Sequence, residues 1–338
     1  MNGKLEHKIK IEQKLMSKLS DMPEYINKFY YFNNIKSPNT KKKYLDNVIR
    51  FLTIMGNGDV IEQEKLKSID AYEIQKYISN ISFYEKNDEI KELGESTKAF
   101  ILSSLSVFFH FLKVYNYINE DPFELGIIDR PKPQEKDIIF LSPEEVRKVE
   151  KAILDGVGSQ ITQSRQKTWK YRDLCLFWLP VINGIRVGAL SEINIEDINF
   201  NERFINVIEK GNRPVKIYYD TKAATYLKIW VDDRKKILKS CGRTNDINNG
   251  PLFISSRKTR IDVRSIERTI EKYTESAINR HISPHKLRAT FATNLYNKTK
   301  DIELTSKALH HKSTVPTQKY VKVFDQDIRN AINTNLYS

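Results

Sequence analysis

Residues 129–136 read Asp129-Arg130-Pro131-Lys132-Pro133-Gln134-Glu135-Lys136. Two prolines two positions apart remove backbone donors and fix φ, so the stretch cannot continue a helix or lie in a central strand. It is charged and has no aliphatic or aromatic side chain beyond the prolines, so it has little to bury. A chain of 338 residues interrupted in this way is expected to form two cores rather than one. The reading divides it into a basic arm at 1–20, a helical domain at 21–128, a linker at 129–138 and a larger domain at 139–338. With 40% hydrophobic residues, both domains can fill a core. The expected class is mainly α, with a small antiparallel β-sheet in the C-terminal domain.

Helical periodicity dominates the first part. Ser37-Pro38-Asn39-Thr40 is a helix start, a capping hydroxyl followed by Pro at the first position. Tyr44, Val48, Phe51, Leu52 and Met55 then mark an apolar face. Lys41, Lys42 and Lys43 fall in the first turn, where cations oppose the helix dipole. They are either a solvated run or phosphate contacts, since a nearby anion would remove the penalty. A second helix is expected at 71–81, with Ile74, Tyr77 and Ile78 inward. A third is expected at 96–117, where Phe100, Leu102, Leu105, Phe108, Phe109 and Leu112 form too broad a stripe for an exposed helix. That helix is expected to centre a small four-helix bundle. Residues 5–19 could form an arm helix or stay mobile.

Charge narrows the function. The net charge is +13, and residues 1–50 hold eleven Lys and Arg against five Asp and Glu. Such an excess favours a polyanionic partner. Cys175 in an apolar helix and Cys241 in a polar loop make no disulfide framework, which fits a reducing cytoplasm. There is no secretory signal and no apolar run of about 18 residues, so neither export nor membrane insertion is expected. No Asp, Glu, His and Cys cluster has metal-ligand spacing and there is no Gly-rich phosphate loop, so no metal and no cofactor are expected.

Beyond the linker, Leu141-Ser142-Pro143-Glu144-Glu145 is a strong helix start, and the polar residues 155–168 read as a loop. An apolar helix at 172–182 runs into Asn183-Gly184, a left-handed cap signal, so Arg186 emerges just past a buried helix. A buried arginine there needs an anion or an acid such as Asp173 or Glu192. Residues 197–200, 204–208 and 215–218 alternate as strands, with Lys210-Gly211-Asn212-Arg213 as the turn between the last two. A helix is expected at 222–238, a polar loop at 245–250 and a strand at 252–254. Arg257, Lys258 and Arg260 then form a basic run that either contacts nucleic acid or is solvated. A helix at 263–277 follows.

The stretch 283–324 gathers the chemistry. Ser283-Pro284 starts a helix, Leu287, Phe291 and Leu295 mark its buried stripe, and His285 and Arg288 share another face. A helix N-terminus beside an arginine suits an anion. His311 follows a second short helix and Tyr320 lies nine residues further on. Singly, His285 reads as a satisfied histidine and Tyr320 as a half-buried aromatic. Together they suit a site that grips one phosphate and offers it a phenol.

The set resembles the tyrosine recombinase (phage integrase) family. That family has an arginine in a T/N-G-x-R turn, a hairpin lysine, H-x-x-R, L-G-H and a tyrosine nine further on. The matching positions here are Asn183-Gly184-Ile185-Arg186, Lys210, His285-Lys286-Leu287-Arg288, Leu309-His310-His311 and Tyr320. The match is strong from about residue 140 to the C-terminus and weak over about 37–122. Two departures stand out. Ala189 replaces the family's acid three residues after the first arginine, leaving Glu192 as a substitute. His310 replaces the glycine before the functional histidine, and histidine tolerates positive φ better than most residues.

The resemblance implies a two-domain clamp on double-stranded DNA, with Arg186, Lys210, His285, Arg288, His311 and Tyr320 as catalytic residues. Lys41, Lys42, Lys43, Arg213, Arg257 and Lys258 are the candidate DNA contacts. It also implies a 3′-phosphotyrosine intermediate, sites made of short inverted repeats, and a monomer that assembles into a homotetramer on synapsed DNA. The apolar strip Ile328, Ala331 and Ile332 of a helix at 325–334 would dock in the neighbouring subunit. The expected place is the cytoplasm, at the nucleoid, in the service of a phage, plasmid or other mobile element. Rival readings are a type IB topoisomerase or telomere resolvase sharing this site, and a non-catalytic DNA-binding regulator on the same fold.

Overall fold

The computed structural model describes residues 3–32, 37–86, 89–131, 137–209, 213–311 and 313–320. The chain divides into two compact units, Met1–Lys136 and Asp137–Ser338.

In the first unit, α1 (Gly3–Leu19), α2 (Glu24–Phe32), α3 (Pro38–Met55) and α4 (Ala71–Asn80) precede a hairpin of β1 (Phe83–Lys86) and β2 (Glu89–Glu92), then α5 (Glu95–Val114). The Ser37 hydroxyl accepts from the Thr40 amide and Pro38 opens α3, as the spacing predicts. On α5, Ile101, Leu102, Leu105, Phe108, Phe109, Phe111 and Leu112 are buried and centre the core. Their rings meet edge to face, as in Phe29–Phe108 at 5.1 Å and 82°. By length and composition α5 could cross a membrane, with a mean hydropathy of 1.3, but here its apolar side chains fill this core.

Several expectations for this unit need correction. The stretch expected as a basic arm joins the unit through α1, whose Leu15 and Leu19 are buried in the same core. Phe100 is exposed, with its ring centre 5.6 Å from that of Tyr44, while Phe111 takes a core place. Lys41 is 6% exposed with its ammonium 4.7 Å from the centre of the Tyr30 ring. It belongs to the packing of the unit rather than to a row of surface lysines. Lys42 pairs with Asp46 at 2.7 Å, and Lys43 is exposed. The fold also brings His110, Asp121 and Glu124 within 4.8 Å of one another, a grouping that their spacing does not reveal. Lys113 already pairs with Glu124 there.

The second unit comprises α6 (Pro143–Asp155), α7 (Gln160–Lys167), α8 (Lys170–Asn183), α9 (Val187–Glu192), β3 (Ile198–Asn199), β4 (Phe204–Glu209), β5 (Arg213–Tyr218), α10 (Thr221–Ser240), α11 (Val263–Ile278), α12 (Pro284–Thr299), α13 (Ile302–Ala308) and α14 (Val315–Gln318). The strands form one antiparallel sheet in the order β3-β4-β5, with Ile205 opposite Ile217 and Glu209 opposite Arg213. Helix α8 lies at the centre, packed by α6, α10, α11 and α12. The expected loop at 155–168 contains α7, a polar helix capped by Ser159. Residues 252–254 are buried but form no strand: the Leu252 amide donates to the Ile193 carbonyl, the Phe253 carbonyl accepts from the Ile261 amide, and Ile254 joins Arg260 through an isolated bridge.

Buried arginines hold the irregular parts. Arg234, fully buried, donates to the carbonyls of Asp246, Ile247, Asn249 and Pro251, satisfying a loop that has no ladder of its own. Desolvation of its guanidinium lowers its pKa. Arg172 donates twice to Asp173, at 2.8 and 2.9 Å, and once to the Ile254 carbonyl. Tyr273 donates to the other Asp173 oxygen at 3.0 Å. Asp173 is therefore engaged as a structural acid by Arg172 and Tyr273.

Candidate active site

Helix α8 ends at Gly184, whose φ of +66° is the left-handed conformation a glycine adopts without strain. A side chain there would also collide, since a Cβ would lie 2.6 Å from Cδ1 of Phe291 on α12. The turn is braced by Asn183, whose Oδ1 accepts from the Ile185 amide at 3.1 Å and whose Nδ2 donates to the Tyr218 carbonyl at 3.4 Å. Arg186 then stands, partly buried, at the N-cap of α9.

Helix α12 carries His285 and Arg288 in its first turns. Pro284 opens it, but Ser283 makes no side-chain cap; its carbonyl accepts from the Lys286 amide instead. Arg288 is 5% exposed. Its Nη1 donates to the Gly184 carbonyl and its Nη2 to the Leu309 carbonyl, and Nη2 lies 3.3 Å from Nε2 of His311. One guanidinium thus ties the Asn-Gly turn to the end of α13. There, His310 has a φ of +52°, so histidine does take the left-handed turn where the family has glycine. Leu309, fully buried, packs with Ala289, Ala292 and Tyr320.

His311 is held from its other side by Thr317, with Nδ1 to Oγ1 at 2.8 Å. The Thr317 carbonyl accepts from the Tyr320 amide at 2.8 Å. Tyr320 is 6% exposed, with the Lys319 ammonium 5.0 Å from its ring centre. His285 reaches the surface. Desolvation of its ring, then the Arg288 charge, lowers its pKa below the usual 6.5; Lys319 and Arg186 add to the effect and Glu267 opposes it. The cations around His285 therefore outweigh the acid, a field that suits a phosphodiester.

The fold accordingly links Arg288, His311, Thr317 and Tyr320 through contacts, with His285 on the same helix as Arg288 and within the field of Arg186. Lys210 lies outside the described residues, as does the expected helix at 325–334; the strands flanking Lys210 pair through Glu209 and Arg213. Lys216, a further cation on β5, is exposed with its ammonium 4.3 Å from the Phe204 ring centre. Arg257 is exposed, and Lys258, at a φ of +61°, donates to the Ser256 carbonyl. Arg260 is structural, donating to the carbonyls of Ser191 and Ile193 at the end of α9. Tyr273 is unsuited to attack: it is buried and bonded to Asp173, and burial followed by that carboxylate pushes its pKa up. Sequence reasoning missed Thr317, because Ser313, Thr314 and Thr317 all lie between His311 and Tyr320 and nothing in their spacing singles one out.

The chain is similar to known proteins over most of its length. Residues 134–327 match the model of the phage integrase family. A tyrosine recombinase of Pseudothermotoga lettingae is 27% identical over 299 residues, covering 88% of this chain and 92% of that one. The tyrosine recombinase XerS of Streptococcus agalactiae is 27% identical over 349 residues, covering 92% and 95%. The fold is also similar to that of the XerH site-specific recombinase bound to its difH substrate, with a TM-score of 0.63 and 18% identity over 96% of this chain and 88% of that one. The family match covers more than half of the sequence and contains every element of the site, so the chain belongs to the phage integrase family and is a site-specific tyrosine recombinase.

Proposed function

We propose that Tyr320 is the nucleophile and that Arg186, Lys210, His285, Arg288 and His311 serve it. The observation that supports this most is the anchoring of Arg288 by the carbonyls of Gly184 and Leu309. A guanidinium held in advance needs little reorganisation as charge grows on the phosphate. Arg186 and Arg288 bracket the non-bridging oxygens, and His311 binds the same phosphate. The Tyr320 oxygen bonds to phosphorus, with its proton drawn off by His285, while the bond to the 5′-oxygen breaks. Lys210 gives the leaving 5′-oxygen its proton. The products are a 3′-phosphotyrosine and a 5′-hydroxyl. Attack by another strand's 5′-hydroxyl reverses the step and rejoins DNA without ATP. Because Tyr320 is buried in the free protein, DNA binding must uncover its phenol.

The substrate is double-stranded DNA bearing short inverted repeats of about 11–13 bp, as dimer half-site geometry leads one to expect. Four subunits act on two synapsed sites, in the cytoplasm at the nucleoid, for a mobile element, phage or plasmid. DNA flanking the gene supplies the candidate repeats. A plasmid carrying two copies should recombine in the presence of EDTA, with four subunits per synapse by light scattering. Relaxation of a plasmid lacking any repeat would instead indicate a topoisomerase. Binding without cleavage of nicked oligonucleotides would indicate a regulator.

A further inference from the structure

Thr317 is fully buried, and its hydroxyl lies 2.8 Å from Nδ1 of His311. The opposite nitrogen of that ring, Nε2, faces Nη2 of Arg288 at 3.3 Å. A guanidinium has only donors, so Nε2 must offer its lone pair. The proton of the neutral ring then sits on Nδ1 and is donated to Thr317 Oγ1. The same residue's carbonyl accepts from the backbone amide of Tyr320 at 2.8 Å. Thr317 therefore holds the histidine ring with its side chain and the turn carrying the tyrosine with its backbone. A ring nitrogen that lost this buried partner would be left to turn or change tautomer.

We infer that Thr317 is a positioning residue that fixes the ring orientation and tautomer of His311 and couples them to the placement of Tyr320. This rests on the proposed roles of His311 and Tyr320. Its action is indirect: Oγ1 need not touch the phosphate. It keeps Nδ1–H satisfied so that Nε2 stays aimed at the Arg288 guanidinium. When the phosphate takes up that guanidinium, a proton gained from solvent at Nε2 lets His311 donate to the phosphate with Nδ1–H still held by Oγ1. A serine can keep the hydroxyl, whereas a valine of the same shape cannot.

The test combines a spectroscopic and a kinetic readout on the full chain. Nitrogen-15 spectra of histidine-labelled protein report the tautomer of each of the six histidines, with His311 assigned by its loss in His311→Gln. The wild type should show His311 protonated on Nδ1, and Thr317→Val should show a mixed or Nε2–H ring. In single-turnover cleavage of a nicked oligonucleotide, Thr317→Val should be slower by roughly tenfold or more at unchanged DNA affinity, with most of the rate restored in Thr317→Ser. A wild-type ring protonated on Nε2 overturns the inference even if the valine variant does not fold. A Thr317→Val protein that cleaves at the wild-type rate while His311→Gln is inactive overturns the inference alone. A His311→Gln protein that cleaves at the wild-type rate overturns the reading of the site as well.

Discussion

Arg288 donates to the carbonyl oxygen of Gly184, a residue 104 positions earlier in the chain. That bond joins the first helix turn of the His-x-x-Arg segment to the turn from which Arg186 emerges. The two arginines are thus placed by one piece of backbone, and an error at Gly184 displaces both.

Gly184→Ala should therefore be costly for two separate reasons, the φ of +66° and the 2.6 Å approach to Phe291. We expect a loss of about 1–3 kcal/mol of stability, seen in thermal or urea unfolding. DNA cleavage should fall further than the folded fraction does, because Arg186 and Arg288 both lose their register.

The lysines at the start of α3 should separate into two kinds. Lys43→Ala should weaken binding to all DNA sequences alike and reduce the slope of log K against log salt by up to about 0.9. Lys41→Ala should leave that slope unchanged and lower stability by about 1 kcal/mol, since it uncovers the Tyr30 ring. Fluorescence titrations at several salt concentrations, with a melt of each variant, check both.

Legibility followed the range of the interaction. The starts of α3 and α6 and the end of α8 could be read because a cap involves residues within four positions, as with Ser37 and Thr40. The three-stranded sheet could be read from its period of two. Helix α7 could not, because it has no apolar stripe, and neither could the polar hairpin β1–β2. The spacing of the site motif located Arg288, His311 and Tyr320. It did not show what holds them, because the carbonyls of Gly184 and Leu309 are brought to Arg288 by the packing of α12 against α8 and α13. Lys41 misled for a related reason: a lysine's long stem can be buried wherever a ring such as Tyr30 receives the ammonium.

His285 gives a prediction about pH. Its folded pKa lies below the unfolded value near 6.5, so the unfolded chain takes up its proton first as pH falls. Stability is intact above pH 6.5 and is lost as pH falls from there through the folded pKa. His285→Gln should lose less stability than the wild type between pH 7 and pH 5, as measured by thermal melts. In spectra of the folded protein, the His285 ring should titrate below 6.5.

Tyr273 serves as a control for the nucleophile. Tyr273→Phe removes the donor to Asp173, a carboxylate that is 2% exposed, and should cost about 1–3 kcal/mol of stability. The remaining folded protein should still cleave DNA, because Arg172 keeps its two bonds to Asp173.

The central claim is that Tyr320 forms the covalent bond to DNA. The protein should be trapped on a nicked oligonucleotide, digested, and the DNA-linked peptide identified by mass spectrometry. One linked peptide is expected, bearing the 3′-phosphate on Tyr320, and none from Tyr320→Phe at equal DNA occupancy. A linkage at Tyr296 or any other residue, or an adduct that persists in Tyr320→Phe, would contradict it.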